Sequence, residues 1–226
     1  MTRLTINKST VNIKTIIFDF DGTLAKLNID FHQMREAVEA LILSYGINGN
    51  EVYTNFVLEM IRDAEIKLNW ISSEKSGEFT QKANAIIEKI EMEAAGHGEL
   101  FGTTRGLLND LKSREIQCGV ITRNCAKAIK TVFPDILSYC PVVVCRDDVK
   151  NVKPHPQHLN TALGKLKSLP EDTLMVGDHP LDIKTGRNSG TWTCGVLSGH
   201  CKRDDFIEAG ADLIFGQAAD ILKIIK

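Results

Sequence analysis

An α/β protein with a Rossmann-like parallel sheet core and an inserted all-helical subdomain is what the sequence predicts, on three observations. From Thr103 onward, short apolar runs alternate with helical patterns. From Lys26 to Gly102 only helical periodicity is found. Three apolar runs stop on polar residues suited to one ligand: Asp19 and Asp21, then Thr122, then Asp178. Alternating strands and helices make a parallel sheet covered on both faces. Such sheets bind ligands beyond the carboxyl ends of their strands.

Taken in order, Ile16-Ile17-Phe18 is β-branched and aromatic and reads as a buried strand. It ends in Asp19-Phe20-Asp21-Gly22-Thr23. An ionised carboxylate in a dry interior costs several kcal/mol unless it is paired or bound to a cation. Two acids at the mouth of an apolar strand therefore point to a metal or a reacting group. Gly22 permits a tight turn and a close backbone approach to a ligand. Asp-Gly alone is ordinary turn chemistry. The full Asp-x-Asp-Gly-Thr string arises by chance in on the order of one chain in 700, at roughly one in twenty per fixed position over about 220 starts.

The insert, 26–102, reads as three helices. Asp30 caps the first, with Met34, Ala37, Val38, Leu41, Ile42 and Tyr45 on one face, and Gly46 stops it. Asn50 is placed to cap the second, in which Val52, Phe56, Met60, Ala64 and Leu68 recur at every fourth position. Ser73 or Ser76 opens the third, which carries Phe79, Ala83, Ile86, Ile87, Ile90 and Ala94 and ends at Gly96 and Gly98. Three such stripes bury one another, which makes the insert a subdomain of its own. The remaining core is 1–25 plus 103–226. In it, Thr104 caps a helix, Cys118 to Ile121 is a strand, and Ala126 to Phe133 is a helix. Val142 to Cys145, Thr173 to Val176, Thr193 to Leu197 and Asp212 to Phe215 read as strands. His155 to Leu166, Leu181 to Asn188 and Ala218 to Ile225 read as helices.

The string Asp19-Phe20-Asp21-Gly22-Thr23 resembles the first motif of the haloacid dehalogenase superfamily. Three later stretches are similar to its other motifs, in the same order: Thr122-Arg123-Asn124, Lys153-Pro154 and Gly177-Asp178 with Asp182 four residues on. Lys150 competes with Lys153, but Pro154 matches the family and fixes the turn before the helix. The position of the insert matches the helical cap of phosphoglycolate-phosphatase-like members, which closes over the site. The resemblance implies Asp19 as nucleophile, Asp21 as general acid and base, and Lys153 as the cation that neutralises phosphate and nucleophile. Gly22, Thr23, Thr122, Arg123 and Asn124 would surround the phosphate. Mg²⁺ would be held by Asp19, the backbone carbonyl of Asp21 and Asp178, an oxygen set that suits it, with Asp182 orienting water or Lys153.

The implied activity is Mg-dependent hydrolysis of a small phosphomonoester through an aspartyl phosphate. Asp21 separates this chain from the dehalogenase and phosphonate-cleaving branches, which lack that acid. A phosphomutase would use the same residues; phosphate release without a bisphosphate activator distinguishes the two. A non-enzymatic phospho-acceptor of the receiver type is a third class, but there the acid pair precedes the phosphorylated Asp by a whole βα unit. His179, beside Asp178, is expected to pack or face solvent. Cys125 abuts the phosphate-binding turn. Lys26, Asn28 and Arg35 are the polar residues expected to read the leaving group.

Composition narrows the partners. With 43% hydrophobic and 25% charged residues the chain is ordinary for a globular protein. A net charge of −2 gives no footprint for nucleic acid. No apolar stretch is long enough to span a membrane, and residues 1–14 lack a leader's apolar region, so a cytoplasmic location is expected. The six cysteines form no Cys-x-x-Cys pair and several lie in apolar runs, the pattern of small buried hydrophobes. The expected partner is a small phosphorylated metabolite.

Overall fold

Strand β3 (Thr15–Phe18) is the axis of the core. Ile16, Ile17 and Phe18 are fully buried, each contributing roughly 1.5–3 kcal/mol by burial. In the computed structural model, which describes residues 3–6, 9–48, 54 and 56–225, β3 lies in a six-stranded sheet. Its other strands are β6 (Gln117–Ile121), β7 (Val142–Val144), β8 (Thr173–Gly177), β9 (Trp192–Val196) and β10 (Leu213–Phe215). The spatial order is β10-β9-β8-β3-β6-β7, and every pairing is parallel. The chain leaves β3 toward β6 on one side, and returns later through β8 on the other. β3 and β8 therefore flank the switch point, where an open α/β sheet places its ligand crevice.

Helix α6 (Pro156–Leu166) covers one face, where Leu159, Ala162, Leu163 and Leu166 pack with Ile17, Ile121 and Met175. Helices α7 (Pro180–Ser189) and α8 (Arg203–Ala209) continue that layer over β8 and β9. Two glycines permit the close approach. A Cβ on Gly119 would come within 2.9 Å of Ile17 Cδ1, and one on Gly195 within 2.4 Å of the Phe206 ring of α8. Helix α4 (Thr104–Ser113) packs on β6 and on the C-terminal 3-10 turns at Ala218–Lys223, burying Leu107, Leu108 and Leu111. Helix α5 (Ala126–Val132) follows β6.

Several local expectations are refined. Thr103, not Thr104, caps α4, and Thr104 Oγ1 instead donates to the Leu24 carbonyl. The expected terminal helix is 3-10. Two small antiparallel pairs went unforeseen: β1 (Arg3–Ile6) with β2 (Ser9–Asn12), and β4 (Ala25–Lys26) with β5 (Glu99–Leu100). These strands are too short to carry a periodic signal. All six cysteines are free and five are buried; burial pushes the Cys118 thiol up to about 12.

The chain divides into two compact units, 1–27 with 98–226, and 28–97. The β4–β5 pairing keeps residues on both sides of the boundary with the sheet-bearing unit. The second unit holds α1 (Phe31–Ser44), α2 (Val57–Ile71) and α3 (Ser73–Ala95). Asp30 caps α1 by accepting from Gln33 N, and Gly46 turns the chain away at φ +79°. Asn50 and Val52 lie outside the described residues; α2 begins at Val57. Ser72 ends α2 and caps α3 by accepting from Lys75 N, a role expected of Ser73 or Ser76. Ser76 instead ties the two helices by donating to the Glu65 carbonyl. Tyr45 meets Phe79 edge-on with centroids 5.4 Å apart.

Gly195→Ala forces a methyl into the Phe206 ring and should cost about 1–3 kcal/mol of unfolding free energy in urea titrations. Gly164, in α6 with open space at its Cβ position, should gain about 0.5–1 kcal/mol when changed to alanine.

Candidate active site

The parallel sheet sends the residues after β3, β6, β7, β8 and β9 to one edge. Asp19 follows β3 and its N–H continues the ladder by donating to the Val176 carbonyl at 2.8 Å. Asp178 follows β8. Asp182 sits at the third position of α7, where Pro180 sets the first turn. Ligand oxygens of Asp19, Asp178 and Asp182 lie within 4.8 Å of one another.

Into this cluster comes Lys153 from the segment between β7 and α6. Its Nζ is 2.7 Å from Asp19 Oδ1 and 2.7 Å from Asp182 Oδ1. Lys153 is 3% exposed and Asp182 1%, so both charges are desolvated and held by each other. Lys150 is exposed, and the bridging ammonium belongs to Lys153. Asp19 Oδ1 also accepts from Phe20 N at 2.7 Å. Among the described residues Asp19 Oδ2 takes no hydrogen bond.

Three glycines make room for these carboxylates. A Cβ on Gly22, which has φ +75°, would lie 2.2 Å from Asp178 Oδ2. One on Gly199 would lie 1.9 Å from the same oxygen, and one on Gly177 would lie 2.2 Å from Asp182 Cγ. Gly199 belongs to the segment after β9, which the sequence reading did not single out. Neighbouring Ser198 donates to the Gly22 carbonyl at 2.6 Å and ties that segment to the turn after β3. Ser-Gly after an apolar strand is common turn chemistry, so no pattern marked it.

The other candidate residues fall as follows. Thr23 Oγ1 donates to Asp178 Oδ1 at 3.4 Å. Asp21 Oδ1 accepts from Leu27 N at 2.9 Å. Thr122 follows β6 directly, is buried, and accepts from Asn124 N on Oγ1 at 3.2 Å. Arg123 Nη1 donates to the Lys153 carbonyl at 2.9 Å. His179 caps α7: its Nδ1 accepts from Leu181 N while its own N–H donates to Asp182 Oδ2. Lys26 is exposed in β4, and Arg35 bonds Glu39 and the Thr54 carbonyl within the helical unit.

The electrostatics describe a pocket short of positive charge. Burial, aided by the charges of Asp19 and Asp182, pushes the Asp178 carboxyl up to about 8. Burial raises Asp19 to about 6, although Lys153 opposes it. Burial and the nearby Asp19 charge raise Asp21 to about 6 as well. Burial pulls the Lys153 ammonium down, but Asp182 and Asp19 outweigh it and hold the group above its usual value. Three clustered carboxylates against one ammonium fit a further cation, and an all-oxygen donor set fits Mg²⁺.

An acid cluster bridged by a buried lysine thus stands at the switch point of an open α/β sheet. The sequence profile described as haloacid dehalogenase-like hydrolase matches residues 16–196, and the chain belongs to that family. It is 31% identical to the pyrophosphatase PpaX of Bacillus mycoides over 230 residues, covering 96% of this chain and 98% of the relative. It is 26% identical to an N-acetylmuramic acid 6-phosphate phosphatase of Pseudomonas putida, covering 95% and 97%. Among solved structures, a hydrolase from Pseudomonas syringae aligns with a TM-score of 0.67 at 20% identity, covering 93% of this chain and 96% of that one. No helix among the described residues is long and apolar enough to cross a membrane.

Gly199→Ala should displace the Asp178 carboxylate and lower turnover by ~10²-fold, the usual cost of a misplacement near 1 Å, while the far-UV spectrum stays native. A second test concerns buried His158, whose burial and proximity to Lys153 push it down to about 4 from 6.5. The unfolded chain then binds more protons between pH 6.5 and 4, so stability falls as pH drops through that window, by about 3 kcal/mol in total. The difference in urea midpoint between wild type and His158→Asn should shrink as pH falls from 6.5 to 4. The acid cluster titrates in both proteins and cancels.

Proposed function

We propose that the protein is a Mg²⁺-dependent phosphatase acting on a small phosphomonoester through an aspartyl-phosphate intermediate. The observation that carries this reading is the Lys153 ammonium bridging Asp19 and Asp182 within reach of Asp178. Asp19, the Asp21 carbonyl and Asp178 would hold Mg²⁺, which supplies charge neutralisation to the phosphoryl group when bound. Asp19 Oδ2 attacks phosphorus, and the bond to the leaving oxygen breaks. Asp21, raised by burial toward neutrality, gives that oxygen its proton. Asp21 then takes a proton from water, whose oxygen attacks phosphorus and releases inorganic phosphate and the Asp19 carboxylate. Lys153 and the turn Thr122-Arg123-Asn124 are assigned to the phosphoryl oxygens, with Gly22 and Thr23 shaping the turn beside them. Asp182 holds Lys153. No catalytic residue is assigned to the helical unit.

A second substrate, inorganic pyrophosphate, is favoured by the relative named pyrophosphatase that matches nearly the whole chain. Its leaving group is orthophosphate, which departs with less help from an acid than an alkoxide does.

Excess chelator should abolish phosphate release from every substrate, and Mg²⁺ should restore it. Asp19→Asn should eliminate turnover, because an amide cannot serve as the nucleophile; a variant retaining most of kcat refutes the assignment. Asp21→Asn should cost ~10²–10⁴-fold with an alkyl phosphate, and less with p-nitrophenyl phosphate. Steady-state kinetics on pyrophosphate beside a panel of sugar and short-chain phosphates decides the substrate class. A kcat/KM for pyrophosphate above that of every monoester selects the second reading.

A further inference from the structure

Lys153 must be placed to a fraction of an ångström, yet it stands in a connecting segment rather than on a strand or helix. The side chain makes its two bonds to Asp19 and Asp182 at 2.7 Å each, and what fixes its backbone is visible on both sides. The Lys153 carbonyl accepts from Arg123 Nη1 at 2.9 Å. The Lys153 N–H donates to His158 Nδ1 at 3.1 Å. His158 is fully buried at the third position of α6, and its Nε2 lies 3.0 Å from the Val144 carbonyl at the end of β7. Since Nδ1 accepts, Nε2 carries the proton and donates to Val144. The ring thus spans from the last residue of a sheet strand to the peptide of the lysine.

We infer that His158 is a positioning residue: it fixes Lys153 against the sheet by accepting the lysine's backbone N–H, and it does so only as a neutral ring. This rests on the role given to Lys153 above. The charges facing the ring are those of Lys153, Arg123 and Asp148. Two cations against one anion, in a buried place, disfavour a second ring proton, so Nδ1 stays an acceptor. His155, three residues earlier, caps α6 through Gln157 N at an exposed position.

A ring that merely filled space would tolerate either amide equally, and the two amides separate the roles. Asn at 158 offers Oδ1 where Nδ1 stands and keeps the acceptor for Lys153. Gln at 158 reaches toward Val144 and gives up that acceptor. With p-nitrophenyl phosphate and Mg²⁺, His158→Gln should lower kcat by roughly 10–100-fold, whereas His158→Asn should stay within about 3-fold of wild type. Inorganic phosphate, titrated calorimetrically, should bind the Gln variant more weakly than the Asn variant. Equal kcat values in the two variants overturn the inference. Lys153→Met serves as the control: full turnover there defeats the role of Lys153 itself, while its loss with an active Gln variant defeats only the role of His158. Should the Gln variant fail to fold, ¹⁵N spectra of histidine-labelled wild type at pH 7 decide. A neutral Nε2–H tautomer at His158 supports the inference, and an Nδ1–H tautomer or an imidazolium refutes it.

Discussion

The ammonium of Lys153 between Asp19 and Asp182 is the contact on which the rest of the core's active edge depends. Three carboxylates gathered within 4.8 Å at a largely dry sheet edge repel one another, and burial charges each of them a desolvation cost. A lysine bonded to two of them offsets part of that. Removing one partner of a buried pair leaves an uncompensated charge, at a cost of about 3–5 kcal/mol. The same bond that makes the cluster tolerable also leaves it net negative, ready for a cation.

Space matters as much as charge. Gly22, Gly177 and Gly199 come from the turn after β3, the end of β8 and the segment after β9, and each leaves out a Cβ that would collide with Asp178 or Asp182. The carboxylates occupy volume that side chains would otherwise fill. Parallel strands deliver all three glycines to the same edge because every strand ends there. That explains how a cluster this crowded is built from backbone without distorting the sheet.

Much of the core was legible. Ile16-Ile17-Phe18 and Thr173 to Val176 carry no polar residue that a central parallel strand would reject, and polar residues appear where the sheet ends. Asp19 and Asp178 stood out because acids after apolar runs conflict with burial unless something pairs with them, whereas Asp182 and Lys153 were singled out only by the resemblance of their stretches to the family's motifs. The helices of the second unit showed in their periodicity, although Ser72 was missed as the cap of α3 because three serines and a turn crowd that junction. His158 was not legible, since one histidine on a helix looks the same whether it holds a neighbour's peptide or fills space. The short pair β4–β5 and helix α8 were lost for want of length. Gly199 was missed because a glycine's value lies in what stands opposite it, which the sequence does not show.

The strand order has a consequence for how the protein comes into being. β8 inserts beside β3 although the chain makes β6 and β7 first. A nascent chain that has emerged only through α6 already contains Asp19 and Lys153, but the flank of β3 that β8 will occupy is bare and the lysine has one carboxylate instead of two. Domains fold largely as units, and closing a long loop is repaid only when its distant contacts form. The acid cluster is therefore among the last features to assemble on the ribosome, and a chain truncated before Thr173 carries a β3 edge open to pairing with another molecule.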